Sequence, residues 1–222
     1  MKQTGMIGNG RVITPSKTIE NGVVVFEDGK ITAVDQKNRL RVPKSVKMID
    51  ASGKIVAPGF IDIHVHGGKG RDVMDASYEA IKGIAQFLVS HGTTSFVPTT
   101  ISAPRFELLE AVKAVKAAMK KGTGGAEVLG AHLEGPYINI EKRGAHDANF
   151  VRLPSVDELW DLLEASNRAL KIVTLAPELE GSKVLIEKLR VRSIGFNRSL
   201  KRYLHPDGGC NKARRQACHS HA

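Results

Sequence analysis

Gly59-Phe60-Ile61-Asp62-Ile63-His64-Val65-His66 reads as a short strand that ends in a pair of histidines. Residues two apart in a strand point to the same side, so His64 and His66 face one way together, and Asp62 joins them. Three polar groups in an otherwise apolar interior need partners, and two imidazoles aimed at one point suit a divalent metal. A hydrogen-bonded histidine pair on an exposed strand face fits the pair alone equally well. A later strand, Glu127–Leu133, runs into His132-Leu133-Glu134-Gly135-Pro136. Its C-terminal end is the rim on which barrel enzymes build their sites. Glu134 on that rim either caps its own loop or supplies a third ligand. The His-x-His pair at the equivalent rim position favours the ligand.

Outward from the histidine strand the chain alternates strand and helix. A helix is expected near Ser77–Ser90, with Ile81, Ile84, Ala85, Leu88 and Val89 on one apolar stripe. A strand at Thr94–Thr99 leads to a helix opened by Pro104 in its first turn, with Leu108, Val112, Val115 and Met119 inward. Ser155-Val156-Asp157-Glu158 reads as a capping box that starts a short helix burying Leu159, Leu162 and Leu163. Strand Leu170–Leu175 and a helix from about Gly181 to Arg190 complete four β/α units, which imply a parallel sheet. Both an open doubly wound sheet and an eight-stranded barrel close such units. Periodicity alone does not choose between them; the polar residues at the strand ends do.

Before Lys54 the texture differs. Short apolar runs (Arg11–Thr14, Gly22–Phe26, Lys30–Val34, Val46–Asp50) are punctuated by the turn pairs Asn21-Gly22, Asp28-Gly29 and Ser52-Gly53. Residues 1–55 are therefore expected to form a small β region, one sheet of a sandwich.

The net charge of +10 raises the question of nucleic acid, but residues 191–222 carry six of those ten charges. The body shows no basic face interleaved with aromatics, so no nucleic-acid partner is expected. Both cysteines, Cys210 and Cys218, also lie in that last segment. A cysteine-free body, no signal-peptide core and no transmembrane run point to a cytoplasmic protein without a membrane partner. His91 at a helix C-terminus is explained by the helix dipole. Gly67-Gly68-Lys69-Gly70 shapes a rim loop and has no Walker-type spacing.

APGFIDIHVHGGKGRDVMD, GTTSFVPTT, HLEGPYINIEKRGAHD and VTLAPE together resemble the N-acetylglucosamine-6-phosphate deacetylases of the amidohydrolase superfamily, from about Met6 to Arg190. HLEGP followed by the GAH triplet carries the specificity; His-x-His alone indicates only the superfamily. The resemblance implies the first half of a metal-dependent (β/α)₈ TIM barrel over residues 56–190, preceded by the β-sandwich segment of residues 1–55. It implies His64, His66 and Glu134 as metal ligands, and Ala145 and His146 as sugar-contacting residues. It implies one or two divalent ions, Zn²⁺ first and Fe²⁺ or another as alternatives, with a small amino-sugar phosphate as substrate and a homodimer as the full-length assembly. The family's proton-transferring Asp has no match in this chain, so no catalytic residue is assigned. Relatives that bridge two metals with a carboxylated lysine from strand four are disfavoured, because Lys171 stands at the wrong end of that strand. The alternatives are another amidohydrolase, or a non-catalytic metal- or sugar-binding half-barrel that dimerises.

After Arg190 the sequence shows neither helical nor strand periodicity. Read one base forward, permitted codons from Phe196 yield SIGHSNATY and from Cys210 yield AIKRAGKHATHT. These strings resemble the family's fifth and sixth strands, including two metal histidines. Residues 191–222 are accordingly expected to be a frameshifted, non-native tail. The cluster Cys210, Cys218, His219 and His221 is then an accident of frame rather than a zinc site. A chain so interrupted is expected to be inactive.

Overall fold

A computed structural model describes residues 4–41, 46–191 and 194–198. The chain divides into two compact units, Met1–Phe60 and Ile61–Ala222.

In the first unit, β1 (Thr4–Ile13), β2 (Thr18–Glu27), β3 (Lys30–Gln36), β4 (Lys47–Asp50) and β5 (Ile55–Val56) form one sheet in the order β3-β2-β1-β4, with β5 also on β1. The β1/β2 and β2/β3 pairs are antiparallel, whereas β4 and β5 run parallel to β1. Asp28-Gly29 is the expected tight turn, with φ of 49° and 77°. Asn21-Gly22 is not a turn. It lies inside β2, where Gly22 pairs with Gly10 at a register shift, so the pair marks a bulge. The chain reverses instead at Thr14–Lys17, where Lys17 N and the Thr14 side chain bond each other. Val12, Ile19 and Val24 form the small core of this unit.

The second unit follows the expected alternation. Strand β6 (Phe60–Val65) leads into a two-rung hairpin, β7 (Gly67–Gly68) and β8 (Arg71–Asp72). Then come α1 (Tyr78–Val89), β9 (Thr93–Pro98), α2 (Arg105–Lys121), β10 (Glu127–Val128), β11 (Ala131–Glu134), α3 (Val156–Ser166), β12 (Leu170–Leu175), α4 (Ser182–Val191) and β13 (Gly195–Arg198). Two three-stranded sheets, β10-β9-β6 and β11-β12-β13, are joined by a parallel bridge between Thr99 and His132. The strand expected at Glu127–Leu133 is broken because it changes partner. Leu129 N bonds Phe96 O on β9, and Ala131 N bonds Ala169 O ahead of β12. Gly130 sits at the change, where a Cβ would lie 2.6 Å from Ala169 O.

The helices bury small residues where long ones were expected. On α1, Ser77 caps the N-terminus and Ile81, Ile84, Ala85 and Leu88 turn inward, but Val89 is exposed. Pro104 is the N-cap of α2 rather than part of its first turn. Leu108, Val112 and Val115 are buried as expected, while Met119 is exposed and Ala111, Ala114 and Ala118 face the core. Alanine there lets α2 pack closely on α1 and α3. Ser155 caps α3, yet Glu158 does not complete the box. Its carboxylate is buried against Arg152 and Tyr137 instead.

Strand β13 falls where no periodicity was visible, pairing parallel with β12 from Ile172↔Gly195 to Leu175↔Arg198. Ladder pairing uses backbone groups, and four residues are too few to display a period. The tail beyond Arg198, with Cys210, Cys218, His219 and His221, lies outside the described residues.

Candidate metal centre

Strand β6 delivers His64 and places His66 just past its end, while β11 ends on Glu134. The three converge. His66 Nε2 lies 3.1 Å and His64 Nε2 3.6 Å from the same oxygen, Glu134 Oε2. One ligand atom from each of the three falls within 4.8 Å of the others. Asp62 does not join them; it accepts a hydrogen bond from His64 N and so braces the strand end. Lys171, the second residue of β12, is exposed and far from the rim end of its strand, as its position implied.

Backbone groups orient these side chains. His66 Nδ1 lies 3.1 Å from Thr99 O, and a carbonyl only accepts, so the ring proton is on Nδ1. Nε2 is thereby the nitrogen left to take a metal, and without one it faces Glu134 Oε2 as a hydrogen-bond donor when the ring is charged. Thr99 is held in turn by its N–H to Val65 O and its hydroxyl to Val65 N. Beneath this layer His132 is buried, with Nε2 2.7 Å from Thr174 Oγ1 and its ring 5.1 Å from that of His64. Burial first, then the charge of His64, holds its pKa down to about 4. Both its ring nitrogens have partners, Thr174 Oγ1 at Nε2 and Thr99 Oγ1 at Nδ1, so it packs beneath the three rather than joining them.

Electrostatics mark Glu134 as the focus. Burial pushes its carboxyl up, but the surrounding imidazoles of His146, His66 and His64 outweigh that and hold it well below the usual carboxylate range. His66 is raised from its ordinary value, chiefly by its bond to Glu134. Two imidazole nitrogens and a carboxylate oxygen, converging on a partly open site, are a donor set that suits a borderline divalent ion such as Zn²⁺.

The loop after β11 brings His146 to the same place. Its Nε2 is 3.7 Å from Glu134 Oε2 and its ring is buried, while Ala145 beside it is exposed. Ser102, which sequence reading passed over, meets the other side of this ring, with Oγ 2.7 Å and N 3.1 Å from Nδ1. Ser102, Thr99 and Thr174 lie between 33 and 44 residues from their histidine partners, so no local pattern announces them.

The chain is also similar to known proteins. Residues 55–199 match the profile of the amidohydrolase family. The chain is 36% identical over 197 residues to N-acetylglucosamine-6-phosphate deacetylase of Bacillus subtilis, covering 87% of this chain and 50% of that protein. It is 34% identical over 184 residues to N-acetylgalactosamine-6-phosphate deacetylase of Escherichia coli O157:H7, covering 83% and 47% respectively. The crystal structure of N-acetylglucosamine-6-phosphate deacetylase from Pasteurella multocida superposes with a TM-score of 0.79 at 26% identity, over 88% of this chain and 50% of that one. The chain spans about half the length of the curated relatives it matches. With a profile matched through the β/α region that carries His64, His66 and Glu134, and an α/β fold shared with a solved deacetylase, this chain belongs to the amidohydrolase family.

Proposed function

We propose that this chain is the metal-holding first part of an enzyme that hydrolyses the acetamide of N-acetylglucosamine 6-phosphate to glucosamine 6-phosphate and acetate. In this reading residues 56–190 are the first half of a (β/α)₈ barrel, and residues 1–55 belong to a small β-sandwich. One observation carries it: His64 and His66 from one strand end and Glu134 from another meet around a single carboxylate oxygen, beside the loop that bears His146.

The family places Zn²⁺ or another divalent ion at such a site, and His64, His66 and Glu134 would hold it. When bound, the ion supplies a Lewis acid that activates water for attack on a neutral amide. The chain's own residues do the rest of what is visible. Thr99 O keeps His66 Nε2 free to ligate. His132 and Thr174 form the floor beneath His64. His146 and the exposed Ala145 face the sugar. A proton must still pass from water to the leaving amine, which needs an acid/base group. The family's acid/base Asp has no motif match in this chain, and residues 191–222 are read as out of frame.

A second reading, the C4 epimer N-acetylgalactosamine 6-phosphate as substrate, rests on the E. coli relative. Either way, the purified 222-residue chain should bind Zn²⁺ in equilibrium dialysis without measurable turnover of either sugar. Glu134→Gln and His66→Ala should each weaken binding by more than the roughly 10–100-fold that loss of an outer hydrogen-bond partner costs. Unchanged affinity in both variants would overturn the metal assignment, and turnover by the chain would overturn the claim of inactivity.

A further inference from the structure

We propose that Ser102 is a positioning residue that locks His146 as an Nε2–H donor aimed into the site, building on the reading above of His146 as substrate-facing. A peptide N–H only donates, and Ser102 N lies 3.1 Å from His146 Nδ1. Nδ1 must therefore be bare. The Ser102 hydroxyl, 2.7 Å from the same nitrogen, then donates as well. With Nδ1 an acceptor, the proton of the neutral ring sits on Nε2. That edge faces Glu134, whose Oε2 is 3.7 Å away.

Burial makes the arrangement exclusive. Ser102 is 4% and His146 8% exposed, so water does not compete for Nδ1. Gly135 leaves the necessary room, since a Cβ there would stand 2.2 Å from Ser102 Oγ and 3.2 Å from His146 Nδ1.

Two histidines that share Glu134 thus meet opposite backbone groups at Nδ1. The carbonyl of Thr99 puts the His66 proton on Nδ1 and frees Nε2 as a ligand. The N–H of Ser102 puts the His146 proton on Nε2 and makes it a donor. His146 consequently presents no lone pair to a cation. It offers a hydrogen bond to an oxygen acceptor, the class to which an acyl carbonyl belongs.

The test is nitrogen NMR on the 222-residue chain labelled with ¹⁵N-histidine, free of metal and sugar, with His146 assigned by its disappearance in His146→Gln. His146 should show a protonated Nε2 and a bare, hydrogen-bonded Nδ1. Ser102→Ala should move the His146 Nδ1 resonance toward that of an unbonded acceptor, and Ser102→Thr should restore it. A protonated Nδ1 on His146, or a mixture of tautomers, would overturn the proposal. So would an Nδ1 resonance that ignores Ser102→Ala. If the alanine variant loses its far-ultraviolet helical signal, the wild-type tautomer and the Ser102→Thr spectrum decide alone. Because the sample holds neither metal nor substrate, a negative result leaves the deacetylase reading standing. Failure of Zn²⁺ binding, conversely, leaves the tautomer result intact.

Discussion

Gly135 follows Glu134 directly, at φ 70°, with Ser102 Oγ occupying the space a side chain would need. Gly144, in the same loop, has a similar φ of 62° but nothing within 4 Å of an added Cβ. The pair separates backbone strain from crowding. Alanine at either position forces an L residue into the left-handed region, at about 1–2 kcal/mol. At Gly135 alone it also drives Ser102 and His146 apart. Gly135→Ala should therefore lower the urea midpoint further than Gly144→Ala and also weaken Zn²⁺ binding. Equal effects would mean that the Ser102 contact is not maintained. Tyr137, two residues on, makes a prediction about pH. Burial, and then the charge of Glu158, raise its hydroxyl far above the ordinary tyrosine value. Such an acid keeps its proton in the folded state while the unfolded chain loses it. The stability it lends is complete below the ordinary value near pH 10 and falls as pH rises beyond it. Stability should thus drop between pH 9 and 11, and Tyr137→Phe should flatten that drop. The substitution would cost about 1 kcal/mol at neutral pH for the lost bond to Glu158, 3.1 Å long.

The loop from Gly135 to Ser155 has little regular structure, yet it carries His146, so something must hold it. Arg152 is the clamp. Its guanidinium grips Glu158 on α3 with two bonds and donates to Ala103 O and Phe150 O, while its backbone N bonds Pro136 O. One side chain thus ties the loop to α3 and to the residue after Ser102. Glu158 is buried, so removing only its partner strands a charge. Arg152→Met should cost about 3–5 kcal/mol, and Arg152→Met with Glu158→Leu should recover more than half of it. A double-mutant cycle by urea unfolding checks this, and additive losses would show that the two side chains do not interact. The clamp also shows what sequence could and could not reveal. The inward faces of α1 and α3 were legible because burial repeats at the helical period, and strand Leu170–Leu175 because it is a short, largely apolar run. His64, His66 and Glu134 were legible because strand ends concentrate chemistry. Glu158 was misassigned to a capping box because the Ser-x-x-Glu spacing fits equally well when the carboxylate turns inward to an arginine. The break at Gly130 and the exposure of Met119 depend on which element packs alongside, which no local pattern encodes.

Across the whole chain, the described surface is least settled along β6. Phe60, Ile61 and Ile63 are 71%, 63% and 59% exposed, on both faces of a strand whose neighbours further along the chain are buried. The parallel strands β9 and β12 show the contrast, each ending in three consecutive buried residues. Strands of a parallel sheet are normally covered on both faces, and apolar strands left open at a sheet edge recruit other chains. The purified chain should therefore bind a hydrophobic dye such as ANS strongly and elute on sizing as more than a monomer. Ile61→Thr with Ile63→Thr keeps β-branched residues in the strand while removing apolar area, so the strand itself is preserved. That double variant should lower dye binding severalfold and shift elution toward the monomer, with Zn²⁺ binding retained because His64 and His66 keep their strand. Unchanged dye binding would locate the sticky surface elsewhere. Loss of Zn²⁺ binding alongside loss of association would show that the metal site forms only where chains meet along β6.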